Sequence, residues 1–115
     1  MIINYFGKKI NLDVRKLGAF SKGIGLMFKS RDNDNLLFDF KKETNMSIHS
    51  FFVFFPFLAV WLDSQNNVLE TRIVKPFCFS VRPKKNFKRL VELPFNSRNK
   101  KIIKMLFFRR KNGKV

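Results

Sequence analysis

The sequence has very little of the two side chains that build most metal centres and disulfides. Its 115 residues include one cysteine, Cys78, and one histidine, His49. A lone cysteine forms no disulfide within the chain, which excludes a disulfide-stapled secreted domain and predicts a reducing, cytoplasmic location. A histidine and cysteine zinc centre needs several such ligands, so that class is excluded as well, and we expect no cofactor.

Long hydrophobic runs are also missing. The longest, residues 51–62, has twelve residues and is interrupted by Pro56, whereas a membrane-spanning helix needs roughly eighteen or more. The N-terminal residues show neither the long apolar segment nor the small-residue cleavage site of a secretion signal. We therefore expect no integral membrane segment, and the cytoplasm remains the predicted location.

Acidic residues are scarce, above all in the second part of the chain. Residues 1–70 hold nine lysines and arginines against seven acidic residues, and residues 71–115 hold fifteen against Glu92 alone, so the two parts carry +2 and +14 of the net charge of +16. Such asymmetry is typical of proteins that bind RNA, DNA or an anionic membrane surface. Compositional drift is the alternative, because sixteen phenylalanines, sixteen lysines and eleven asparagines are what AT-rich codons produce.

Length and composition favour one folded domain. The chain has 45% hydrophobic and 28% charged residues, a mixture typical of globular proteins, and its length is too short for two domains. We expect a β domain over residues 1–96, with a basic strand or helix and tail over residues 97–115 packed on the same domain. We assume a monomer.

Short β-prone segments alternate with turn-forming residues along the chain. Strands are predicted at residues 2–6, 9–14, 36–40, 48–55, 68–74, 77–81 and 87–93. Gly7 provides the positive φ of a tight hairpin turn, and a short helix is predicted at about residues 15–22. The pattern predicts a mostly β fold, a single compact antiparallel β-barrel or sandwich with that one helix.

The most apolar of these segments, residues 48–55, is hydrophobic on both faces. We therefore predict that it is a central strand, with Phe54 in the core. Pro56 lacks the N–H that a strand ladder needs, so the residues after it form a second strand or the continuation of a kinked one. Residues 102–108 form either a closing edge strand or a short amphipathic helix, and periodicity does not decide between them.

Sequence patterns of catalysis are missing. His49 is interpreted as a structural histidine, and Cys78, between two phenylalanines, as a buried or half-buried inert thiol. No serine lies in a nucleophile elbow, and Gly23-Ile24-Gly25 lacks the third glycine of a dinucleotide site. We name no catalytic residue and favour a protein that is not an enzyme.

A basic constellation in the last third of the chain is the main candidate site. Its members are Arg82, Lys84, Lys85, Phe87, Lys88, Arg89, Lys100, Lys101, Lys104, Arg109, Arg110 and Lys111. Lysine and arginine neutralise phosphates and release counterions, and an exposed Phe87 or Phe108 would stack on bases. Because no base-reading motif accompanies them, we expect contacts with the RNA or DNA backbone. A solvated sheet edge whose lysines deter aggregation explains the same residues.

Part of the sequence resembles a known family. Residues 47–63, with Gly25-Leu26-Met27 before them and Val91-Glu92-Leu93-Pro94 after them, resemble the archaeal branch of the domain-of-unknown-function family 192. The resemblance runs from about residue 10 to about residue 94 and implies no established activity. Relatives usually carry an aspartate where this chain has Leu58, so an activity that needs this carboxylate would be lost here.

These observations predict a cytoplasmic, non-enzymatic binding module whose basic C-terminal surface binds polyanions such as the nucleic-acid backbone. One alternative is a small-ligand-binding or weakly catalytic β-barrel with a pocket near His49 and Asp63, although Asp63 also fits a turn residue. Another alternative is peripheral binding to anionic membranes through residues 102–111, if that segment is helical.

Overall fold

Strands make up most of the regular structure. The computed structural model describes residues 1–17, 29–50, 53–78 and 80–108. The strands are β1 (Ile2–Tyr5), β2 (Lys8–Asn11), β3 (Arg15–Lys16), β4 (Leu36–Thr44), β5 (Phe57–Leu62), β6 (Val68–Val74) and β7 (Phe87–Pro94). One short helix, α1 (Lys100–Ile103), lies within the described residues and continues as a π-helical turn, Lys104–Phe108. The prediction of a mostly β fold with one short helix is confirmed.

The strands form two sheets. β1 and β2 make an antiparallel hairpin, and the larger sheet has the order β3-β4-β7-β5-β6. β3 pairs with β4 in parallel, and the other neighbours are antiparallel. Over the part of the chain that the structure describes, neither sheet closes into a barrel. The radius of gyration of 13.2 Å is that of a compact domain of about this size.

The larger sheet buries both of its faces, because successive side chains of a strand point to opposite sides. We call the two sides the loop face and the helix face. The loop face carries Leu36, Phe38, Phe57, Ala59, Trp61 and Leu90, and Val53, Phe55, Val81 and Phe87 from the loops and the start of β7 pack onto it. The helix face carries Leu37, Leu58, Val60, Leu62, Val91 and Leu93, and Ile3, Ile10, Leu12, Ile103 and Leu106 cover it.

Several predicted elements are confirmed. β1 and β2 form the expected hairpin, with Gly7 at φ 78° in its turn. β4, β6 and β7 match the predicted strands closely, although β4 extends to Thr44. The open choice for residues 102–108 is resolved as helical, since α1 and the π-helical turn span them.

The prediction of a central strand at residues 48–55 is wrong. Ile48 makes a single bridge to Val81, residues 53–56 lie outside any strand, and residues 51 and 52 are outside the described part. The predicted strand at residues 77–81 is likewise reduced to that bridge. The buried strand of the block is β5, which begins directly after Pro56 because proline cannot donate to a ladder. Phe54 is 59% exposed, so its predicted burial is wrong too.

The prediction of a helix at residues 15–22 is wrong for its first residues. Arg15 and Lys16 form β3, and the ladder continues through the bond from Leu17 N to Leu37 O at 3.0 Å. Residues 18–22 of the predicted helix lie outside the described residues. The error has a local cause, since this segment has weak periodicity and its pairing with β4 comes from residues about twenty positions later.

Candidate functional site

Two of the predicted cations are engaged with a carboxylate. Lys88 Nζ donates to Asp39 Oδ1 at 2.8 Å, and Arg89 Nε lies 3.2 Å from the same oxygen. Burial alone would raise the pKa of Asp39, but the hydrogen bonds from Lys88 and Arg89 outweigh it and hold that pKa below its usual value. Arg89 also donates to Ser64 O at 3.0 Å and to Asn66 Oδ1 at 2.9 Å. These two cations therefore brace the sheet and the β5–β6 turn.

Six other predicted cations are exposed to solvent. They are Arg82, Lys84, Lys85, Lys100, Lys101 and Lys104. The first three, here called the loop triad, lie in the β6–β7 loop on the loop face; the last three, the helix triad, lie on α1 and the turn after it on the helix face. None of the six makes an ion pair within residues 1–17, 29–50, 53–78 and 80–108.

The remaining members of the constellation differ in their placement. Phe87 is 0% exposed in the loop-face core, so the expectation that it stacks on bases is wrong. Its ring packs edge-on against Trp61 and Phe40 instead. Arg109, Arg110 and Lys111 lie outside the described residues.

Asp63 is a turn residue. Its Oδ1 accepts hydrogen bonds from Gln65 N and Asn67 N at 2.9 Å each, and its Oδ2 accepts one from Asn67 Nδ2 at 3.0 Å. Burial would raise the pKa of Asp63, but the Asn67 and Gln65 bonds outweigh it and lower that pKa. His49 is exposed in the loop that follows β4. Neither residue lines the two cavities described next.

A groove of about 640 Å³ lies beside α1. Its apolar floor includes Phe95 and Ile103. The charged residues around it are three cations, Arg31, Lys100 and Lys104, and one carboxylate, Asp32. Hydrogen bonds tie its walls together, with Asn96 Nδ2 donating to Arg31 O at 2.9 Å. The groove is therefore a preformed concave surface with an apolar floor and a rim of net positive charge.

A second cavity, of about 520 Å³, lies behind the start of α1 and is polar. Two buried asparagines organise it. Asn99 Nδ2 donates to Asn35 Oδ1 at 2.7 Å and to Pro94 O at 2.8 Å, while Asn35 Nδ2 donates to Asp13 O at 2.8 Å. This amide latch fastens α1 to the sheet, and its members are 64 residues apart in the chain, so sequence reasoning missed it.

The loop-face core contains two polar groups. Glu92 is 6% exposed and pairs in register with Leu36 and Ala59, so its side chain points into the loop-face layer. Burial raises the pKa of Glu92 to about 8, and the carboxyl group holds a proton at neutral pH. The second group is Nε1 of Trp61, which lies on β5 two positions after Ala59. It is buried without a hydrogen-bond partner in the described part of the chain.

A knot of hydrogen bonds around Ser50 holds the loops of the loop face. Its Oγ donates to Lys75 O at 2.6 Å and accepts from Cys78 N at 2.6 Å. Ser50 N donates to Cys78 O, and Phe77 N donates to Ser50 O, both at 2.9 Å. The knot holds Phe77 at φ 61°, a left-handed conformation. Phe77 is 49% exposed and its ring packs edge-on against that of Phe54.

The comparisons with known proteins place the chain in a family. No family model matches the sequence. It is 35% identical over 91 residues to a UPF0127 protein from the archaeon Pyrococcus furiosus, in an alignment that spans 76% of this chain and 77% of that protein. The chain belongs to the UPF0127 family. This is an uncharacterised conserved family.

Two solved structures share the fold of this UPF0127 chain. One is a candidate transcription regulator from Sinorhizobium meliloti, with a TM-score of 0.70, 17% identity, and coverage of 88% of this chain and 81% of that one. The other is a protein of unknown function from Novosphingobium aromaticivorans, with a TM-score of 0.70, 9% identity, and coverage of 88% and 75%. At these identities the likeness shows the fold alone.

Three properties of the described part of this UPF0127 chain bear on its site. Among the described residues, no group of three or more histidine, cysteine, aspartate or glutamate side chains is placed to hold a metal ion. No helix in that same part is long and apolar enough to cross a membrane. Cys78 is half-buried, as predicted.

Proposed function

We propose that this UPF0127 protein is a non-enzymatic, cytoplasmic module that binds polyanions, specifically the phosphate backbone of RNA or DNA. One observation carries the proposal. The six side chains of the loop and helix triads are exposed, and the ion pairs found in the described residues do not involve them. Unpaired lysines and arginines bind phosphates by releasing condensed counterions, which is favourable at low salt.

The placement of the acidic residues supports this proposal. Near the loop triad, Glu70 pairs with Arg72 and also accepts a hydrogen bond from the backbone N–H of Lys84 at 2.8 Å. Asp39 is occupied by Lys88 and Arg89. These carboxylates are therefore committed to contacts inside the protein, which leaves the side chains of the triads to a ligand.

Salt-dependent binding tests the proposal. Fluorescence anisotropy would follow labelled mixed-sequence single-stranded RNA and duplex DNA from about 50 to 300 mM salt. Two matched variants, Arg82→Gln/Lys84→Gln/Lys85→Gln and Lys100→Gln/Lys101→Gln/Lys104→Gln, remove three charges each. If a triad contacts the DNA backbone, the variant that lacks its three charges should show a salt dependence whose slope, log affinity against log salt, is smaller by about 3. If the wild type binds neither RNA nor DNA at the lowest salt, the proposal is refuted.

Ligand binding in the groove is a second candidate function, favoured by its apolar floor and its rim of net positive charge. Concave apolar surfaces of about 300–1,000 Å³ with a few polar groups are typical of small-molecule sites. The chemistry fits an amphipathic anion such as a long-chain fatty acid, with its tail on Phe95 and Ile103. A fluorescent fatty acid should bind to the wild type and more weakly to Lys100→Gln/Lys104→Gln. Equal affinity for both proteins would refute this assignment.

Membrane attachment through residues 102–111 is not favoured. Ile103 and Leu106 are 4% and 0% exposed in the helix-face core. Thr71 Oγ1 and Tyr5 OH both donate to Leu106 O at 3.2 Å, which fixes the turn against the sheet. Two of the apolar side chains that would have to enter a bilayer are thus buried against the sheet instead.

We also infer that the resemblance to family 192 and the membership in UPF0127 describe one family. The Pyrococcus furiosus protein supports this, since it aligns with three quarters of the chain and has the archaeal source that the resemblance implies. An alignment of many members that separates two groups would contradict it.

A further inference from the structure

We propose that Phe54 and Phe77 form a stacking platform for unpaired bases, so that the polyanion bound on the loop face is single-stranded nucleic acid. This inference rests on the proposed function and names its substrate class. The sequence predicts the stacking role for Phe87 or Phe108, but Phe87 is buried.

The first support is the exposure of the two rings. Phe54 is 59% exposed and Phe77 is 49% exposed. Their ring centroids lie 5.4 Å apart with an angle of 76° between the planes, so the pair presents aromatic surface in two nearly perpendicular directions. Adjacent exposed aromatic side chains are typical of an interaction site, since the same rings would be more stable in the core.

The second support is the backbone of Phe77. Its φ of 61° is a left-handed conformation, which is rare for a bulky side chain. The Ser50 knot imposes this conformation, because Phe77 N and the flanking Lys75 and Cys78 backbone groups are all bonded to Ser50. A glycine would fit there without strain, and its place is taken by a phenylalanine whose ring faces solvent. Strain of this kind is concentrated at functional positions.

The third support is the charge on the chain segments that meet at the Ser50 knot. Lys75 is exposed at the end of β6, two residues before Phe77, and Arg82 is exposed directly after Val81, which bridges to Ile48 next to the knot. Cations beside exposed aromatic rings are the arrangement with which proteins hold single strands, since the cations contact phosphates and the rings stack on bases. In a duplex the bases are already stacked and paired, so a duplex cannot use the rings.

One double variant and one control variant test the platform. The test measures binding of labelled mixed-sequence single-stranded RNA of about twelve nucleotides, within the usual site size, and of duplex DNA of equal length. The variant is Phe54→Ala/Phe77→Ala. The control is Phe6→Ala, which removes an exposed aromatic ring, also at positive φ, from the β1–β2 hairpin on the helix face.

The expected result is selective loss. The double variant should bind single-stranded RNA at least about tenfold more weakly, since each stacked ring contributes roughly fivefold or more. Its affinity for duplex DNA should stay within about twofold of that of the wild type, and the slope of log affinity against log salt should not change. Phe6→Ala should match the wild type on both ligands. Because both rings are largely exposed, the thermal midpoint checks that the variant is folded, and Phe54→Leu/Phe77→Leu provides a second variant that keeps apolar volume.

Each contrary result has a distinct meaning. Unchanged or equally reduced affinity for both nucleic acids overturns the platform while salt-dependent polyanion binding still stands. Full retention of RNA affinity by the leucine variant also overturns it, because an apolar surface, such as one for a partner protein, would then be sufficient. If the wild type binds neither nucleic acid at low salt, the proposed function itself fails and the platform fails with it.

Discussion

The two faces of the five-stranded sheet are covered in different ways. The helix face is covered by regular elements, the β1–β2 hairpin and α1, and the amide latch there has its polar groups paired. The loop face is covered by irregular loops and contains a protonated Glu92, an unpaired Trp61 Nε1 and the strained Phe77. Departures from local structural preference tend to lie at functional sites. The comparison therefore locates the strained and unsatisfied groups on the loop face, which also carries the proposed stacking platform.

The largest expected effect separates two phenylalanines of the loop face. Phe57→Ala should destabilise the protein by about 3–5 kcal/mol, because Phe57 is 1% exposed on β5. Phe54→Ala should change the free energy of unfolding by less than about 0.5 kcal/mol, since Phe54 is 59% exposed. Urea denaturation measures both. Similar losses for the two variants would contradict the assignment of Phe54 to the surface.

The next effect is the pH dependence that Glu92 imposes. Its pKa is about 8 in the folded protein and 4.5 as the ordinary value, so the folded state binds more protons than the unfolded state between these limits. The contribution of this group to stability is therefore complete below about pH 4.5 and should fall as the pH rises to about 8, by about 1.4 kcal/mol per unit at most.

Glu92→Gln provides the matched control for that titration. The amide keeps the shape of the protonated acid and does not titrate, so the variant should gain on the wild type steadily between about pH 5 and 8 in urea denaturation. Asp39 affects stability in a different pH range. Because its pKa is lowered, its contribution to the free energy of unfolding is lost only as the pH falls below the usual value of 3.8. Parallel stability profiles for wild type and Glu92→Gln would refute the buried, protonated state.

A moderate effect is expected on the helix face. Asn99→Ala removes two hydrogen bonds and leaves Asn35 Oδ1 and Pro94 O without these donors, which should cost about 1–3 kcal/mol. Because the latch fastens α1, amide exchange should accelerate first in α1 and the π-helical turn. Asn86→Ala, at an exposed asparagine of the β6–β7 loop, is the control and should cost less. Uniform acceleration over the whole sheet would contradict a local latch.

The smallest effect concerns the strained loop. Phe77→Gly relieves a left-handed conformation and should raise the free energy of unfolding by up to about 1 kcal/mol, although the added chain entropy of glycine offsets part of the gain. Phe6→Gly, at φ 48° in the hairpin, is the comparison for the helix face. If Phe77→Gly is destabilising, the conformation is not under strain.

Sequence reasoning was accurate where local patterns decide structure. The hairpin around Gly7, β6 and β7 follow from turn residues and from bounded β-prone runs. Residues 48–55 and 77–81 are mispredicted because an apolar run gives no information on its pairing partner. In their described residues the two segments share one bridge, Ile48 to Val81. Periodicity likewise gave no indication that Phe54 faces solvent.

The candidate site was predictable in its composition and not in its geometry. The charge of the last third identified the cations, but only the fold shows that Lys88 meets Asp39, 49 residues earlier in the chain. The Ser50 knot joins residues 25 and 28 positions apart, and serine and asparagine give no local signal of such bonds. Long-range pairing decided which predicted residues remain exposed.

The position of β7 in the sheet has a consequence for biosynthesis. β7 is the middle strand of the larger sheet, with β4 on one side and β5 on the other, yet it comes last in sequence among the seven described strands. As the nascent chain leaves the ribosome, β5 and β6 can pair first, but β4 has no antiparallel neighbour until residues 87–94 emerge. Until then the edges of β4 and β5 stay open, a state prone to strand exchange between chains. The sheet is therefore completed late, when its middle strand β7 inserts between β4 and β5.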